Sequence, residues 1–357
     1  MSPSDAPTRS DRTALRDRFL SRAGWAGAAV APLAGDASNR RYDRLSGGPG
    51  GAGAVLMDAP PEKGEDLVPF LGITAALRGR GFSAPAILAA EPETGFALIE
   101  DLGDALYARV CAQDPAAEAP LYLAAAELLA ELHAETAPAE APAGAGRHLI
   151  PPYDAATLRR EAMLAADWYL EGLGLRTEAL AEEFAGLIDA ACAPVAGARA
   201  ALALRDYHAE NLLWLPDRAG TARVGLIDYQ DALAGHPAYD LISLTEDARR
   251  DTSAGLRAAT TGRYLDAAGV PAGAREGFAA AAAILAAQRN LKIVGIFARL
   301  RLRDGKPRYL DLIPRVWGHL MRDLEHPALA PLAAFVARRV PPPEPAALAR
   351  LRAGGGA

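Results

Sequence analysis

The sequence predicts an α+β protein of two unequal lobes: a small antiparallel sheet with one inserted helix, then a larger and mainly helical part. Three observations carry that prediction. The 357 residues exceed what one small core organises. Apolar residues make up 51% of the chain while aromatics are only 6%, and the abundant alanine favours helices. The hydrophobic pattern also changes after Gly103, from short apolar runs to repeats at i, i+3 and i+4.

Taken in order, residues 1–11 read as a polar, disordered lead. Arg12 to Ala26 reads as a helix. Leu33 to Leu45 is a polar segment with apolar flanks, Gly47-Gly-Pro-Gly-Gly-Ala-Gly53 is turn chemistry, and Val55-Leu-Met57 is a short strand. Together they predict a hairpin with a glycine-rich connection. Glu65 to Gly81 reads as a helix ended by Gly79 and Gly81, and Ala86–Ala90 and Phe96–Ile99 as two further strands. The first lobe thus spans residues 12–103.

The second lobe, residues 104–340, opens with Leu121, Ala124, Ala125, Leu128, Leu129 and Leu132, one face of an amphipathic helix. Thr136 to Arg147 is rich in Ala, Pro and Gly and reads as a loop. Helices are expected over 155–173, 177–193, 254–268, 275–302 and 311–324. Between them lie two short apolar runs, Leu202–Leu204 and Val224–Ile227, each leading to an aspartate. Residues 341–357 read as an irregular tail with a short helix.

Charge and cysteine content exclude several classes. The net charge is −6, which leaves no global basic footprint for nucleic acid. The two cysteines, Cys111 and Cys192, form no metal-like pair and no disulfide scaffold. The start of the chain lacks the apolar core of a signal peptide, and the longest apolar run, Phe278 to Ala287, is half of what a membrane span needs. The expected setting is the cytoplasm, with no membrane or nucleic-acid partner and a monomeric active species.

The chemistry concentrates in two segments. In Leu202-Ala-Leu-Arg-Asp206-Tyr-His-Ala-Glu-Asn211 an apolar strand runs to an aspartate, and an asparagine follows five residues later. In Val224-Gly-Leu-Ile-Asp228 a second apolar strand runs to another aspartate. Phosphoryl transfer needs these parts. A divalent cation bridging the phosphates prefers hard oxygens from a carboxylate and an amide, and a second carboxylate must orient the attacking hydroxyl and accept its proton. No second His or Cys has the spacing to make His208 a metal ligand.

The motifs resemble those of the aminoglycoside phosphotransferase/choline kinase family. Its His-Gly-Asp-Leu-His-x-x-Asn loop is matched by Leu204-Arg-Asp-Tyr-His-Ala-Glu-Asn211, and its Ile-Asp-Trp-x-Asp segment by Ile227-Asp-Tyr-Gln-Asp231. Its Gly-x-Pro-x-Tyr-Asp-Leu segment is matched by Gly235-His-Pro-Ala-Tyr-Asp240-Leu. The resemblance covers residues 12–335 and implies a protein-kinase-like two-lobed fold, with ATP and Mg²⁺ as donor and cofactor. It implies Asp206 as catalytic base, Asn211 and Asp228 as Mg²⁺ ligands, and Asp240 as a structural brace of the catalytic loop. It also implies that residues 12–103 bind the nucleotide and residues 104–340 the acceptor.

Finer segments resemble one branch of that family, the cell-wall-recycling anomeric sugar kinases that act on N-acetylmuramate and N-acetylglucosamine at C1. They are Gly35-Asp-Ala-Ser-Asn-Arg-Arg-Tyr42, Met57-Asp-Ala-Pro-Pro61, Tyr207-His-Ala-Glu-Asn211, Tyr229-Gln-Asp-Ala232, Asp247-Ala-Arg-Arg-Asp251 and Gln288 to Arg299. The branch implies an amino-sugar acceptor in peptidoglycan recycling. Other small hydroxyl compounds, such as an aminoglycoside, choline or homoserine, remain the rival acceptors, and a nucleotide-binding pseudokinase is the rival of another class.

Some positions depart from the family. Leu204 and Arg205 stand where His and Gly are usual, and the third strand, Val55-Leu-Met57-Asp58, carries no lysine for the phosphates. Arg40, Arg41 or Lys63 are the candidate replacements. Ser38 and Asn39 are expected at the phosphate loop, Met57 beside the nucleotide, and Glu100-Asp101-Leu102 at the hinge, where the backbone binds adenine. Arg289, Asn290 and Lys292 sit on an otherwise apolar helix; either they line the acceptor pocket or they serve internal pairing with acids such as Glu246 and Asp247. His208 and Asp231 are the remaining acceptor candidates.

Overall fold

A computed structural model describes residues 9–33, 39–198 and 200–354. Residues 1–8 of the expected lead, and Gly35 and Ser38 of the expected phosphate loop, lie outside the described residues. The first elements are α1 (Arg9–Arg22), β1 (Ala29–Pro32), β2 (Arg41–Ser46), β3 (Ala54–Asp58), α2 (Val68–Gly79), β4 (Ile87–Glu91) and β5 (Phe96–Ile99). Then come α3 (Tyr107–Gln113), α4 (Glu118–His133), β6 (Glu140–Ala143), β7 (Gly146–Leu149), α5 (Ala155–Ala162) and α6 (Glu178–Cys192). The short strands β8 (Ala201–Ala203), β9 (Leu212–Trp214), β10 (Val224–Leu226) and β11 (Leu233–Gly235) follow. The chain ends with α7 (Ala238–Thr245), α8 (Ala254–Ala267), α9 (Arg275–Leu302), α10 (Ile313–Asp323), α11 (Ala330–Arg339) and α12 (Pro345–Ala353).

These elements cluster into two compact units with interleaved segments. One comprises Met1–Arg109, Pro138–Ile150 and Asn211–Ala232; the other comprises Val110–Ala137, Pro151–Glu210 and Leu233–Ala357. This differs from the single cut at residue 103 that the sequence suggests, because hairpins far along the chain complete the first unit. The helix α1 also starts at Arg9, within the stretch read as a lead.

The first unit is built on an antiparallel sheet of order β1-β2-β3-β5-β4. Alternation along the strands divides its two faces. Leu45, Ala54, Leu56, Phe96 and Leu98 pack with Phe19, Leu20 and Trp25 of the α1 region. Tyr42, Met57 and Ala97, paired across β2, β3 and β5, share the other face. The β2–β3 turn uses Gly47, Gly50 and Gly51 at positive φ, a conformation that glycine adopts without a Cβ penalty.

Two later hairpins join this unit. The β9–β10 pair bridges to it through Ser83–Gly225 and Leu106–Leu213. The β6–β7 pair, in a stretch that reads as a loop in sequence, packs on α2. There Gly72 gives room: a Cβ at that position would lie 2.4 Å from the Cβ of His148.

The second unit is helical around α9, which is 28 residues long. Its apolar side chains pack among α5, α6, α10, α11 and α12. The segment Ala272–Leu302 is long and apolar enough to cross a membrane by composition, but 67% of its window is buried within the protein, as for a core helix. Gly295 sets its closest approach: a Cβ there would lie 2.1 Å from the backbone carbon of Leu164. The contact adjoins a π-helical stretch over Ala165–Leu170, so the single helix expected over 155–173 is two pieces. A small β8–β11 ladder completes the unit.

Candidate active site

The helical unit presents Asp206 on a heavily braced loop. Strand β8 is fully buried and paired with β11, so the chain leaves it from a fixed point. Arg205 then turns at φ 73, a left-handed conformation that a residue with a Cβ adopts at a cost. Asp240, at the start of α7 and wholly buried, holds that turn: its carboxylate accepts the N–H of Leu204 at 2.7 Å and of Arg205 at 2.8 Å. His133 Nε2 lies 3.6 Å from the same carboxylate, and its Nδ1 lies 3.1 Å from the Tyr264 hydroxyl. The Ser243 hydroxyl donates to the Arg205 carbonyl at 3.0 Å, and the Tyr207 hydroxyl donates to the Ala125 carbonyl at 2.9 Å. Hydrogen bonds to a buried charged group are worth about 1.5–3 kcal/mol each, enough to hold a strained residue.

Asp206 itself is solvent-exposed at the tip of this brace. The protein mass around it pushes its carboxyl up, but Lys292, His208, Arg205 and Arg289, in that order, outweigh the effect and hold it below the usual range. It is therefore anionic at neutral pH, as a proton acceptor must be. His208 is buried, with Nε2 3.3 Å from the Arg249 guanidinium. Arginine only donates, so Nε2 accepts and the proton sits on Nδ1. Burial lowers the affinity of His208 for a second proton, with Arg249 adding to that effect against Asp247, which keeps the ring neutral.

The polar residues of α9 divide. Lys292 faces the Asp206 neighbourhood, with Nζ 3.2 Å from Glu161. Arg289 is only 4% exposed, and its guanidinium donates to the Glu246 carbonyl at 3.2 Å and to the Ser243 hydroxyl at 3.0 Å. Asn290 is fully buried, and its amide donates to Glu246 at 2.7 Å and Asp323 at 2.8 Å. Of the two alternatives the sequence leaves open, Arg289 and Asn290 make the internal pairing, with Glu246 as the shared partner. Their donors clamp α9 to α7 and α10.

The sheet unit presents Asn211 and Asp228 together. Strand β10 leads to Asp228, which stands at φ 59; with Arg205 it is one of the two non-glycine residues at positive φ among the described residues. The Asn211 amide nitrogen lies 3.4 Å from Asp228 Oδ2, and Gln230 Nε2 donates to Oδ1 at 2.9 Å. The Ile227 N–H donates to the Asn211 carbonyl at 3.1 Å. Tyr229 anchors the loop below: its ring stacks on Phe70 at 5.7 Å. The Thr74 hydroxyl already donates to the Phe70 carbonyl, so Tyr229 donates to Thr74 at 2.8 Å. Among the described residues no group of three or more His, Cys, Asp or Glu gathers to hold a metal unaided. Asn211 and Asp228 supply two hard oxygens, which fits a cation that takes its other ligands from phosphate and water.

The same unit separates the three candidate cations. Arg40 is part-buried and paired with Glu65 at 2.8 Å, and Tyr42, Glu65 and Asp231 sustain its charge against burial. Asp231 is exposed and lies within electrostatic reach of Arg40. Asn39 frames the pair, its N–H donating to Glu65 at 3.1 Å and its amide to the Lys63 carbonyl at 3.3 Å. Arg41 and Lys63 are exposed. Met57 is buried on β3 opposite Tyr42. In the Glu100-Asp101-Leu102 segment the acidic side chains shape the backbone. Glu100 accepts the Ala86 N–H at 3.0 Å and pairs with Arg218 at 2.5 Å. Asp101 pairs with Arg44 at 2.7 Å and accepts the Gly103 N–H at 2.9 Å. Leu102 lies against Gly225.

Sequence reading gave no role to Glu65, Glu161 or Arg249, each one charge among several neighbouring ones, with a partner remote in the chain. Glu65 alone had a usable signal, since kinases hold their phosphate cation with a glutamate.

Comparison with known proteins agrees with this architecture. The chain is 38% identical to an N-acetylmuramate/N-acetylglucosamine kinase of Caulobacter vibrioides, over 93% of this chain and 98% of the relative. It is 36% identical to a Pseudomonas aeruginosa protein of the same name, over 87% of this chain and 88% of the relative. Among solved structures it resembles an ethanolamine kinase of Plasmodium vivax with a TM-score of 0.61 at 11% identity, covering 90% of this chain and 92% of that one. That likeness gives the protein-kinase-like fold. Residues 29–278, more than half of the chain, match the model of the phosphotransferase enzyme family, and with the relatives' identity over nearly its whole length the chain belongs to that family.

Proposed function

We propose that this protein transfers the γ-phosphoryl group of ATP to the anomeric C1 hydroxyl of an N-acetylated amino sugar, N-acetylmuramate or N-acetylglucosamine, in peptidoglycan recycling. The observation that carries the mechanism is the chemical contrast between the two acidic strand ends. Asp206 is kept anionic by surrounding cations, whereas Asp228 offers its carboxylate with the Asn211 amide 3.4 Å away. The acceptor class is supported by the relatives, which share one printed name at 36–38% identity.

In this reading Asp206 accepts a hydrogen bond from the sugar hydroxyl. The O–H bond breaks as its proton passes to Asp206, and the freed electron pair forms the new bond to phosphorus. The bond from γ-phosphorus to the bridging oxygen breaks, and its pair leaves on ADP. Asn211 and Asp228 are the proposed ligands of Mg²⁺, which when bound neutralises charge on the phosphates. Arg40, held by Glu65, stands in for the missing strand lysine, and Asn39, Met57 and the backbone of Glu100, Asp101 and Leu102 complete the nucleotide side. His208 and Asp231 remain the acceptor candidates. A nucleotide donor suits a cytoplasmic site of action, and both cysteines are free, buried thiols.

The test is an ATP-consumption screen against N-acetylmuramate, N-acetylglucosamine, kanamycin and choline, with phosphorus NMR on the product. The expected result is turnover with the amino sugars and a phosphate coupled to the anomeric proton. Turnover with kanamycin or choline alone, or with no acceptor at all, refutes the reading.

A further inference from the structure

The proposed function leaves a buried acid beside the Asp206 loop without a role. Glu161, near the end of α5, is 8% exposed. Its carboxylate accepts the Tyr153 hydroxyl and the Arg205 guanidinium, and Lys292 Nζ lies 3.2 Å away. Burial pushes Glu161 up, but Lys292 and then Arg205 outweigh it and keep the carboxylate ionised. Taking one anion and two cations out of bulk water costs solvation that apolar packing at the same place would not.

The two cations are next to the chemistry. Arg205 precedes Asp206 in the chain, and Lys292 exerts the largest favourable influence on the Asp206 carboxylate. His208 comes next, ahead of Arg205, and Arg289 last. His208 is neutral, and Arg289 has its donors committed to α7. The Lys292 side chain is only 13% exposed and already faces Glu161, which leaves it poorly placed to take a third carboxylate from an acceptor.

We propose that Glu161 and Lys292 form a positioning pair for the base: Glu161 tethers the Lys292 ammonium and the Arg205 guanidinium beside Asp206, so that Lys292 acts through Asp206 and not on the acceptor's carboxylate. This deepens the reading above and rests on Asp206 as the base. The arrangement has a balance built into it. Two cations alone would make Asp206 too weak a base, and the Glu161 charge tempers them. Lys292 keeps Asp206 ionised before transfer, and Glu161 compensates Lys292 once Asp206 has taken the proton.

The experiment compares wild type with Lys292→Met, Lys292→Gln, Lys292→Arg and Glu161→Gln, following kcat and KM for each sugar across pH. In the two charge-free Lys292 variants the acid limb of kcat moves to higher pH by about one unit, and Lys292→Arg returns it towards wild type. Glu161→Gln lowers kcat about tenfold with KM for either sugar changed by no more than about twofold. In parallel, the carboxyl ¹³C signal of Asp206, assigned by its absence in Asp206→Asn, is titrated without any acceptor. It moves up by a similar amount in Lys292→Met. If wild type turns over neither sugar but this carbon still moves, the acceptor reading fails and the positioning pair stands. If neither limb nor carbon moves, or if Lys292→Gln raises KM about tenfold for N-acetylmuramate alone, the positioning pair is overturned.

Discussion

The segments that carry Asp206 and Asp228 look alike in sequence, an apolar strand running to an aspartate, yet they are held in opposite ways. The loop of Asp206 is pinned through its backbone by Asp240 and Ser243 and through the Tyr207 hydroxyl on the Ala125 carbonyl, and cations set the charge of its carboxylate. The loop of Asp228 is pinned below by the Tyr229 ring and hydroxyl, and the Asn211 and Gln230 amides meet its carboxylate. A base needs fixed position and fixed ionisation before the reaction starts. A metal ligand needs correct oxygen chemistry and enough freedom to take up the ion's geometry. The difference in bracing thus follows the proposed difference in task.

Removing each carboxylate is the strongest way to break the comparison. Asp206→Ala lowers kcat about 10³-fold and leaves nucleotide affinity within about threefold of wild type. Asp228→Ala also lowers kcat and, unlike the first variant, weakens Mg²⁺-dependent nucleotide binding by about tenfold or more. Steady-state kinetics and nucleotide titration with and without Mg²⁺ read both, and matching binding losses in the two variants would erase the distinction.

The braces come next. Asp240→Ala leaves two backbone N–H groups without their buried acceptor and lowers unfolding stability by about 3 kcal/mol in urea titration. Tyr229→Phe removes one hydroxyl bond to Thr74 while the ring stack on Phe70 stays, and costs about 1 kcal/mol. Equal losses at the two sites would contradict the unequal bracing.

A last measurement sharpens the comparison from outside both segments. Burial, and after it Glu246, pushes the Asp323 carboxyl up to about 9. A carboxyl raised above its unfolded value contributes its full stability below that value, about 3.9, and loses it as pH climbs towards 9. Asp323→Asn therefore flattens the decline of Tm over that window. Thermal melts at stepped pH values check it, and a wild-type Tm that rises through the same window would refute it.

Much of the site was legible because its residues mark strand ends. Apolar runs stopping at Asp206 and Asp228, with Asn211 between them, stand out in any linear reading, and Asp240 follows a proline at a helix start. The β6–β7 hairpin was not legible. Its Ala-Pro-Ala-Gly-Ala-Gly run lacks branched or aromatic residues, and its strands are fixed by packing on α2, where His148 needs Gly72 to be bare. The α9 pattern showed that Gln288, Arg289, Asn290 and Lys292 interrupt an apolar helix but not what each meets. Helical spacing gives the direction of a side chain and leaves its tertiary partner open, which is why Glu161 stayed hidden inside an expected helix.

The interleaving of the two units has a consequence for how the polypeptide emerges from the ribosome. The sheet unit draws its last hairpin, β9–β10, from residues 211–232, so synthesis of residues 1–109 leaves it unfinished. At ordinary elongation rates the missing hairpin arrives roughly 6–25 s later, and until then the partners of Phe70 and Thr74 on Tyr229 do not exist. The nascent first unit must wait with α2 lacking its Tyr229 contact, and the helical unit is then also unfinished, since α9 lies still further along the chain.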